Sequence, residues 1–198
     1  NRSNIGLVLG NKSGVMDIDC DSVEAVALMH HLADGYLGHF KRSHDSAHYL
    51  FLCEGGGKTI RLAQPDGGVI VELRGDGSQT MVPPSTHPDG QNLSMKAWHP
   101  KASHHQYDSL YQFVHRVGAL SLLMRGWHVG SRHQLSLSFA GLCQSLGISY
   151  DDAYGMVQCL CHVMHDDEEN ARLHNLRLTY QRPTANNIGF TGLCEVIG

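Results

Sequence analysis

The sequence predicts an α+β protein: a strand-rich segment over residues 1–103, then a small helical domain over residues 104–198. Three observations carry this. Turns rich in Gly, Pro and Asp cut residues 5–82 into short apolar or β-branched runs. One of those runs ends in acidic residues and passes straight into a helical pattern, as chains of mixed α and β structure do. From Tyr107 onward the apolar residues recur at intervals of three to four, the period of a helix.

The elements follow in order. Residues 5–9 form a short apolar strand, and Gly10-Asn11-Lys12-Ser13-Gly14 turns the chain into Val15-Met16-Asp17-Ile18-Asp19-Cys20, a buried strand. Ser22 caps a helix of two to three turns carrying Val23, Val26, Ala27, Met29 and His30. Residues 49–53 and 59–63 read as two strands joined in a hairpin through Gly55-Gly56-Gly57-Lys58-Thr59. That glycine run is not a phosphate loop, because the motif needs a glycine five residues before Gly57 and Leu52 stands there. Pro65-Asp66-Gly67-Gly68 is a turn before a strand at 69–74, and Gly75-Asp76-Gly77-Ser78 is another before 79–82. Pro83-Pro84-Ser85-Thr86-His87-Pro88-Asp89-Gly90 is a rigid irregular loop, and residues 91–106 read as polar and turn-rich.

Four helices are expected beyond the boundary. Leu110, Phe113, Val114, Val117 and Leu120 share a face in the first, with Gly126 as its stop. The second covers 132–146 and ends at Gly147. Ser149 caps the third, whose first turn is acidic and which runs to about residue 164. Residues 166–180 form the fourth, and a turn-plus-helix begins near Gly189.

Composition narrows the function. A hydrophobic content of 41% in 198 residues supports a genuine core. No apolar run approaches the roughly 18–20 residues of a membrane span, and no signal-peptide pattern opens the chain. These features lead to the expectation of a cytoplasmic protein with no membrane partner. The net charge of −4 gives no global basic signature of nucleic-acid binding. Six cysteines without a CxxC pair point to reduced, buried thiols rather than a zinc ribbon or a disulfide scaffold.

Chemistry-bearing residues cluster in the first half. Alternation on a strand sends Asp17 and Asp19 to the same side, their Cα atoms roughly 6.5–7 Å apart. Two such carboxylates repel unless a cation or a shared proton relieves them, and an oxygen pair on a rigid strand suits Mg²⁺ or Mn²⁺. The alternative is a strand end leading to a solvated acidic turn at Asp21. Ser46 and His48 also share a face, fit either to hold a nucleotide's phosphates or sugar, or to serve as ordinary polar residues at a strand entry. Glu72 interrupts a β-branched strand as a third carboxylate or as its solvent-facing residue. Cys159, Cys161, His162 and His165 lie too close together on one helix for all four to converge on an ion, which favours packing over ligation.

Asp17-Ile18-Asp19, Ser46-Ala47-His48, Glu72 and the loop from Pro83 to Gly90 together resemble the archaeo-eukaryotic primase–polymerase family. The branch they most resemble is the bifunctional primase/polymerase of phages, plasmids and other mobile elements. In that family an acidic strand motif, a serine-x-histidine motif and a later single acid form the catalytic centre in this order. The spacing of 31 residues from Asp17 to His48 and 24 more to Glu72 is compatible with it.

The resemblance implies an RRM-type catalytic sheet with a helical accessory domain. It implies Asp17, Asp19 and Glu72 as catalytic ligands of two Mg²⁺ or Mn²⁺ ions, and Ser46, His48 and Arg74 as nucleotide-binding residues. Lys41, Arg42 and Lys58 are further candidates for the triphosphate, and Arg132 and His133 for contact with nucleic acid. The implied substrates are a DNA template and nucleoside triphosphates, with a replicative helicase as a partner, in a prokaryotic cell or phage-infected host. Family members carry a sizeable segment before the acidic strand, whereas 16 residues precede Asp17, so the core is expected to lack its N-terminal segment. Two other readings are a metal-dependent nuclease or replication initiator, and a catalytically silent nucleic-acid-binding fragment. The first is disfavoured by the lack of a His-x-His motif, the second by the presence of all three acids.

Overall fold

The computed structural model of the chain describes residues 3–64, 66–184, 187 and 189–197. Pro65, expected in a turn, lies outside them. The elements are β1 (Ile5–Val8), β2 (Val15–Cys20), α1 (Val23–Leu32), β3 (Gly38–Lys41), β4 (Ala47–Glu54), β5 (Ile60–Ala63), β6 (Val69–Arg74), β7 (Gln79–Val82), β8 (Ser94–Trp98) and β9 (His104–Gln106). Then come α2 (Tyr107–Gly126), α3 (Arg132–Ser145), α4 (Tyr150–Val163), α5 (Glu169–Tyr180) and α6 (Phe190–Ile197). The class is α+β. The chain forms two compact units, residues 1–118 and 119–198, which divide within α2.

In the first unit a seven-stranded sheet has the order β5-β6-β2-β4-β3-β8, with β9 beside the end of β4. Every pairing is antiparallel except β4 with β9. The acidic strand β2 is therefore an interior strand, hydrogen-bonded on both edges. Its residues are buried on both faces. Met16, Ile18 and Cys20 on one side are wholly inaccessible, and each large apolar side chain so placed contributes roughly 1.5–3 kcal/mol. Helix α1 lies against β2 and β6, and its start is held by Ser22, whose hydroxyl accepts from the Ala25 N–H. On the other side Val15, Phe40 and Leu50 pack with Leu9 and Leu93, and Leu7, Met81 and Val82 border them. Leu7, Met81 and Val82 belong to the separate two-stranded sheet of β1 and β7.

Two sequence expectations are corrected. Strands β4 and β5 do not form a hairpin: β2 and β6 lie between them, and among the described residues β5 pairs only with β6. The glycine run is a crossing connection, in which Gly57 C=O accepts from the Asp76 N–H and Gly56 (φ 61°) passes against the backbone of Asn11. Residues 91–106 contain two strands, β8 and β9, and a further strand for which the sequence carries no signal, β3, precedes Arg42. β3 (Gly-His-Phe-Lys) and β9 (His-His-Gln) are short and poor in apolar residues, and β8 is a five-residue strand at the sheet edge within a polar stretch, so alternation does not announce them.

In the second unit α3 packs on α5 and α6, and α4 on α5. Ser149 caps α4 by accepting from the Asp152 N–H. The Cys159, Cys161, His162 and His165 cluster forms no metal-ligand group among the described residues, and its cysteines are free thiols. A buried polar node ties this unit together. The Asp166 carboxylate accepts from Trp127 Nε1–H (3.0 Å), Arg172 Nε–H (3.1 Å) and the Glu168 N–H (3.0 Å). Burial pushes the Asp166 carboxyl upward, but the Glu168 N–H, Arg172 and Trp127 outweigh it and hold it below the ordinary carboxylate range. Asp166→Ala leaves the buried Trp127 Nε1–H without its acceptor and the buried Arg172 with Glu168 (2.6 Å) as its remaining carboxylate, and is expected to lower the unfolding free energy by about 2–4 kcal/mol. Urea unfolding followed by circular dichroism at neutral pH checks this, and a loss below about 1 kcal/mol would contradict it.

Candidate active site

The sheet register assembles the site. Asp19 of β2 lies opposite His48 on β4 and opposite Glu72 on β6. Asp17 lies opposite Arg74. Directly opposed residues share a sheet face, so five of the residues singled out from the sequence stand together on one surface. Ser46, two residues before His48, is on the same side and buried.

The two aspartates are unusual in their burial. Asp17 is 0% exposed and Asp19 is nearly so. His48 Nδ1 donates to Asp17 Oδ2 at 3.0 Å and lies 3.4 Å from Asp19 Oδ1. Phe40 stacks on the His48 imidazole, with ring centroids 4.6 Å apart and planes within 13°. The ring is thus fixed in both orientation and tautomer, its Nδ1 committed to a carboxylate. Arg74 reaches Asp19 Oδ2 (3.4 Å) and Asp17 Oδ2 (3.9 Å) while donating to Gln79 C=O (2.7 Å). Glu72 is paired with Arg61 at 2.9 Å and lies 3.9 Å from Arg74.

These cations do not satisfy the acids completely. Asp17 Oδ1, Asp19 Oδ1 and Ser46 Oγ are buried without a hydrogen-bond partner, a costly state for carboxylate oxygens. Burial, and after it the neighbouring charges of Asp17 and Asp21, push the Asp19 carboxyl up to about 7, against the pull of His48 and Arg74. For His48, burial disfavours the charged ring, yet Asp17 and then Asp19 outweigh it and raise its pKa.

Two groups of side chains are spaced to hold a cation, Asp17/Asp19/His48 and Asp19/Asp21/Glu72, with ligand atoms within 4.8 Å of one another in each. Asp19 belongs to both. Glu72 therefore joins Asp17 only through Asp19, and Asp21, which is not among the ligands expected from the sequence, joins the second group. Its signal was present in the alternation of Asp17, Asp19 and Asp21. The orphaned oxygens and the hard oxygen-rich donor set fit Mg²⁺ or Mn²⁺.

A cleft of about 600 Å³ opens onto this group, bordered by Asp19, Asp21, His48, Glu72, Arg74 and Arg42. Arg42 lies 4.0 Å from Asp21 and 3.2 Å from His87 Nε2. His87 comes from the proline-rich loop and also borders the cleft. No local pattern marked it, because the loop's return to β3 is a tertiary contact. Lys41 is half-buried at the end of β3, and Lys58 lies in the glycine connection. Arg132 and His133 belong to the second unit. Arg132 is 3.5 Å from Asp166, and exposed His133 is 3.4 Å from Asn175.

A family model described as bifunctional DNA primase/polymerase, N-terminal, matches residues 1–104. The chain belongs to this primase/polymerase family. Neither the curated proteins nor the solved structures contain a match. Membership brings primase- or polymerase-type nucleotidyl transfer as the general activity, and DNA and nucleotides as the general substrates. No described helix is long and apolar enough to cross a membrane.

The raised Asp19 carboxyl has a definite pH signature. Its contribution to stability is complete below the ordinary carboxylate value near 4 and is lost as pH rises through about 7. Asp19→Asn is therefore expected to stabilise the metal-free protein by roughly 1–3 kcal/mol at pH 8, a gain that shrinks toward pH 4. In the wild type, Mn²⁺ affinity measured by calorimetry should fall about tenfold per pH unit below 7, because binding displaces a proton. A pH-independent affinity between 5 and 7 would contradict it.

Proposed function

We propose that this chain carries out template-dependent nucleotidyl transfer, as a DNA primase, a DNA polymerase or both, using two divalent cations. One observation carries the proposal: in a member of the primase/polymerase family, Asp19 and His48 border a cleft and converge with Asp17, which is buried beside them, and one oxygen of each aspartate is buried without a hydrogen-bond partner. Asp17, Asp19 and Glu72 are the proposed ligands, with Asp21 beside Asp19 and Glu72 in the second of the two overlapping groups. Cations bound there would supply activation of a 3′-hydroxyl and neutralisation of the triphosphate and departing pyrophosphate.

The chain's own residues do the positioning. His48, held by Asp17 and Phe40, presents Nε2 as the atom left to meet a phosphate oxygen. Ser46 supports it from the same strand side. Arg74 and Arg42 border the cleft with fixed positive charge, suited to the non-bridging oxygens of a triphosphate. The 3′-oxygen forms a bond to the α-phosphorus while the bond to pyrophosphate breaks, a reaction that needs in-line alignment and charge neutralisation.

The proposal takes the first-unit sheet as the RRM-type catalytic sheet, supported by the interior antiparallel placement of β2 between β4 and β6. It takes residues 1–103 as a catalytic core and 104–198 as an accessory domain, supported by a family match that stops at residue 104. Contact of Arg132 and His133 with nucleic acid belongs to the same proposal, His133 on its exposure. A helicase partner and replication of a mobile element in a prokaryotic or phage-infected cytoplasm rest on the resemblance of the motifs.

The test is incorporation of labelled nucleotides on a single-stranded template with Mn²⁺ or Mg²⁺, with and without a primer. Wild type is expected to extend, EDTA to abolish extension, and Asp17→Ala/Asp19→Ala to reduce it by at least about 10³-fold. Product without a primer identifies a primase. Metal-dependent nucleotide binding without incorporation would overturn catalysis by this chain alone, and absence of both would favour the silent nucleic-acid-binding reading.

A further inference from the structure

One edge of the seven-stranded sheet has a charge unlike the rest of the chain. Strand β8 is outermost there, paired with β3. Residues 35–44 and 90–107, which contain β3, β8 and β9, include Lys41, Arg42, Lys96 and Lys101 and no Asp or Glu, with Asp34, Asp45, Asp89 and Asp108 immediately outside them. The whole chain has 19 acidic residues against 15 Lys and Arg. The free side of β8 has no strand partner among the described residues.

The same edge displays large side chains to solvent. Trp98 is 53% exposed and Met95 is 42% exposed. In register, Trp98 stands opposite Gly38, Gly38 opposite Leu50, and Leu50 opposite Asp17. Trp98 is thus on the sheet face that carries the candidate active site. Gly38 makes room for its ring: a Cβ at position 38 would come within 2.9 Å of Trp98 Cε3. A register shift between His39 and Phe40 leaves Lys96 as the extra residue of β8, and it is exposed, as is Lys101 just beyond the strand.

We propose that the β8 edge is a docking surface for single-stranded nucleic acid. Trp98 stacks on a base, and Lys96 and Lys101 meet the flanking phosphates. An exposed aromatic ring set in an acid-free basic stretch is the combination that single strands require, since every base has a face to stack and every link a negative charge. The proposal rests on the preceding reading only in identifying that strand as the template.

The chain contains its own probe. It has two tryptophans, and Trp127 is 1% exposed with its Nε1–H donated to Asp166. Base stacking therefore quenches the emission of Trp98. The experiment titrates an oligothymidylate of about ten nucleotides into the full chain in EDTA. Quenching on binding is expected, and Trp98→Ala should abolish it and weaken binding about tenfold. Trp98→Phe, which keeps a stacking ring and controls for local folding, should retain most of the affinity. Lys96→Gln and Lys101→Gln should each reduce the slope of log affinity against log salt by about 0.7.

Binding with unchanged Trp98 emission, unaltered affinity in Trp98→Ala, or no binding at all overturns the proposal. So does concentration-dependent self-association removed by Trp98→Ala, which would assign the edge to a second copy. Quenching in a chain that incorporates no nucleotide leaves the surface intact and overturns the catalytic reading. Incorporation without quenching does the reverse.

Discussion

Everything at the candidate site depends on two carboxylates held one residue apart on an interior strand. Because β2 is hydrogen-bonded on both edges, Asp17 and Asp19 cannot relieve their repulsion by moving the backbone. Relief must come from side chains on the flanking strands, and the register brings His48 from β4 and Arg74 from β6. Compensation stops short: one oxygen of each aspartate has no hydrogen-bond donor. A buried charge with an unsatisfied oxygen is costly in isolation and becomes favourable when a cation arrives. The same deficit that burdens the fold is what suits it to metal.

Division of the sheet's two faces makes this tolerable. Met16, Ile18 and Cys20 give β2 an apolar anchorage on one side, while Val15, Phe40 and Leu50 join a second apolar cluster beside the acids. Phe40 serves both purposes, as a core residue and as the surface on which His48 is stacked. The helical unit handles buried charge differently. There Asp166 is fully engaged by Trp127, Arg172 and the backbone, a closed network with no oxygen aimed at a missing partner. The contrast separates a structural carboxylate from one poised to bind.

Local physics made much of this chain legible. The alternation of apolar and acidic residues in 15–20 placed β2 and the common face of its aspartates; Ser22 and Ser149 marked helix starts through their capping hydroxyls. The change of period at Tyr107 located the helices. Strand alternation put Ser46 and His48 on one face and Glu72 stood out as a charge in a β-branched strand, but each had an ordinary reading as well; motif order and resemblance chose between them and added Arg74. Asp21 was within reach of the same alternation but was assigned to the turn that follows the strand.

What the sequence alone determined is therefore the identity of the elements with strong periodicity and the residue types on one face of β2. Tertiary structure decided which strands lie beside it. A strand's neighbours depend on hydrogen-bond pairing between distant segments, and short connections bias that choice without dictating it. For this reason β4 and β5, adjacent in sequence and joined by glycines, are separated by two strands. The same long-range pairing put Arg42 and His87 at the cleft and arranged Trp98, Gly38, Leu50 and Asp17 in one row. Side-chain periodicity is written along the chain; the order of strands is settled only when their edges meet.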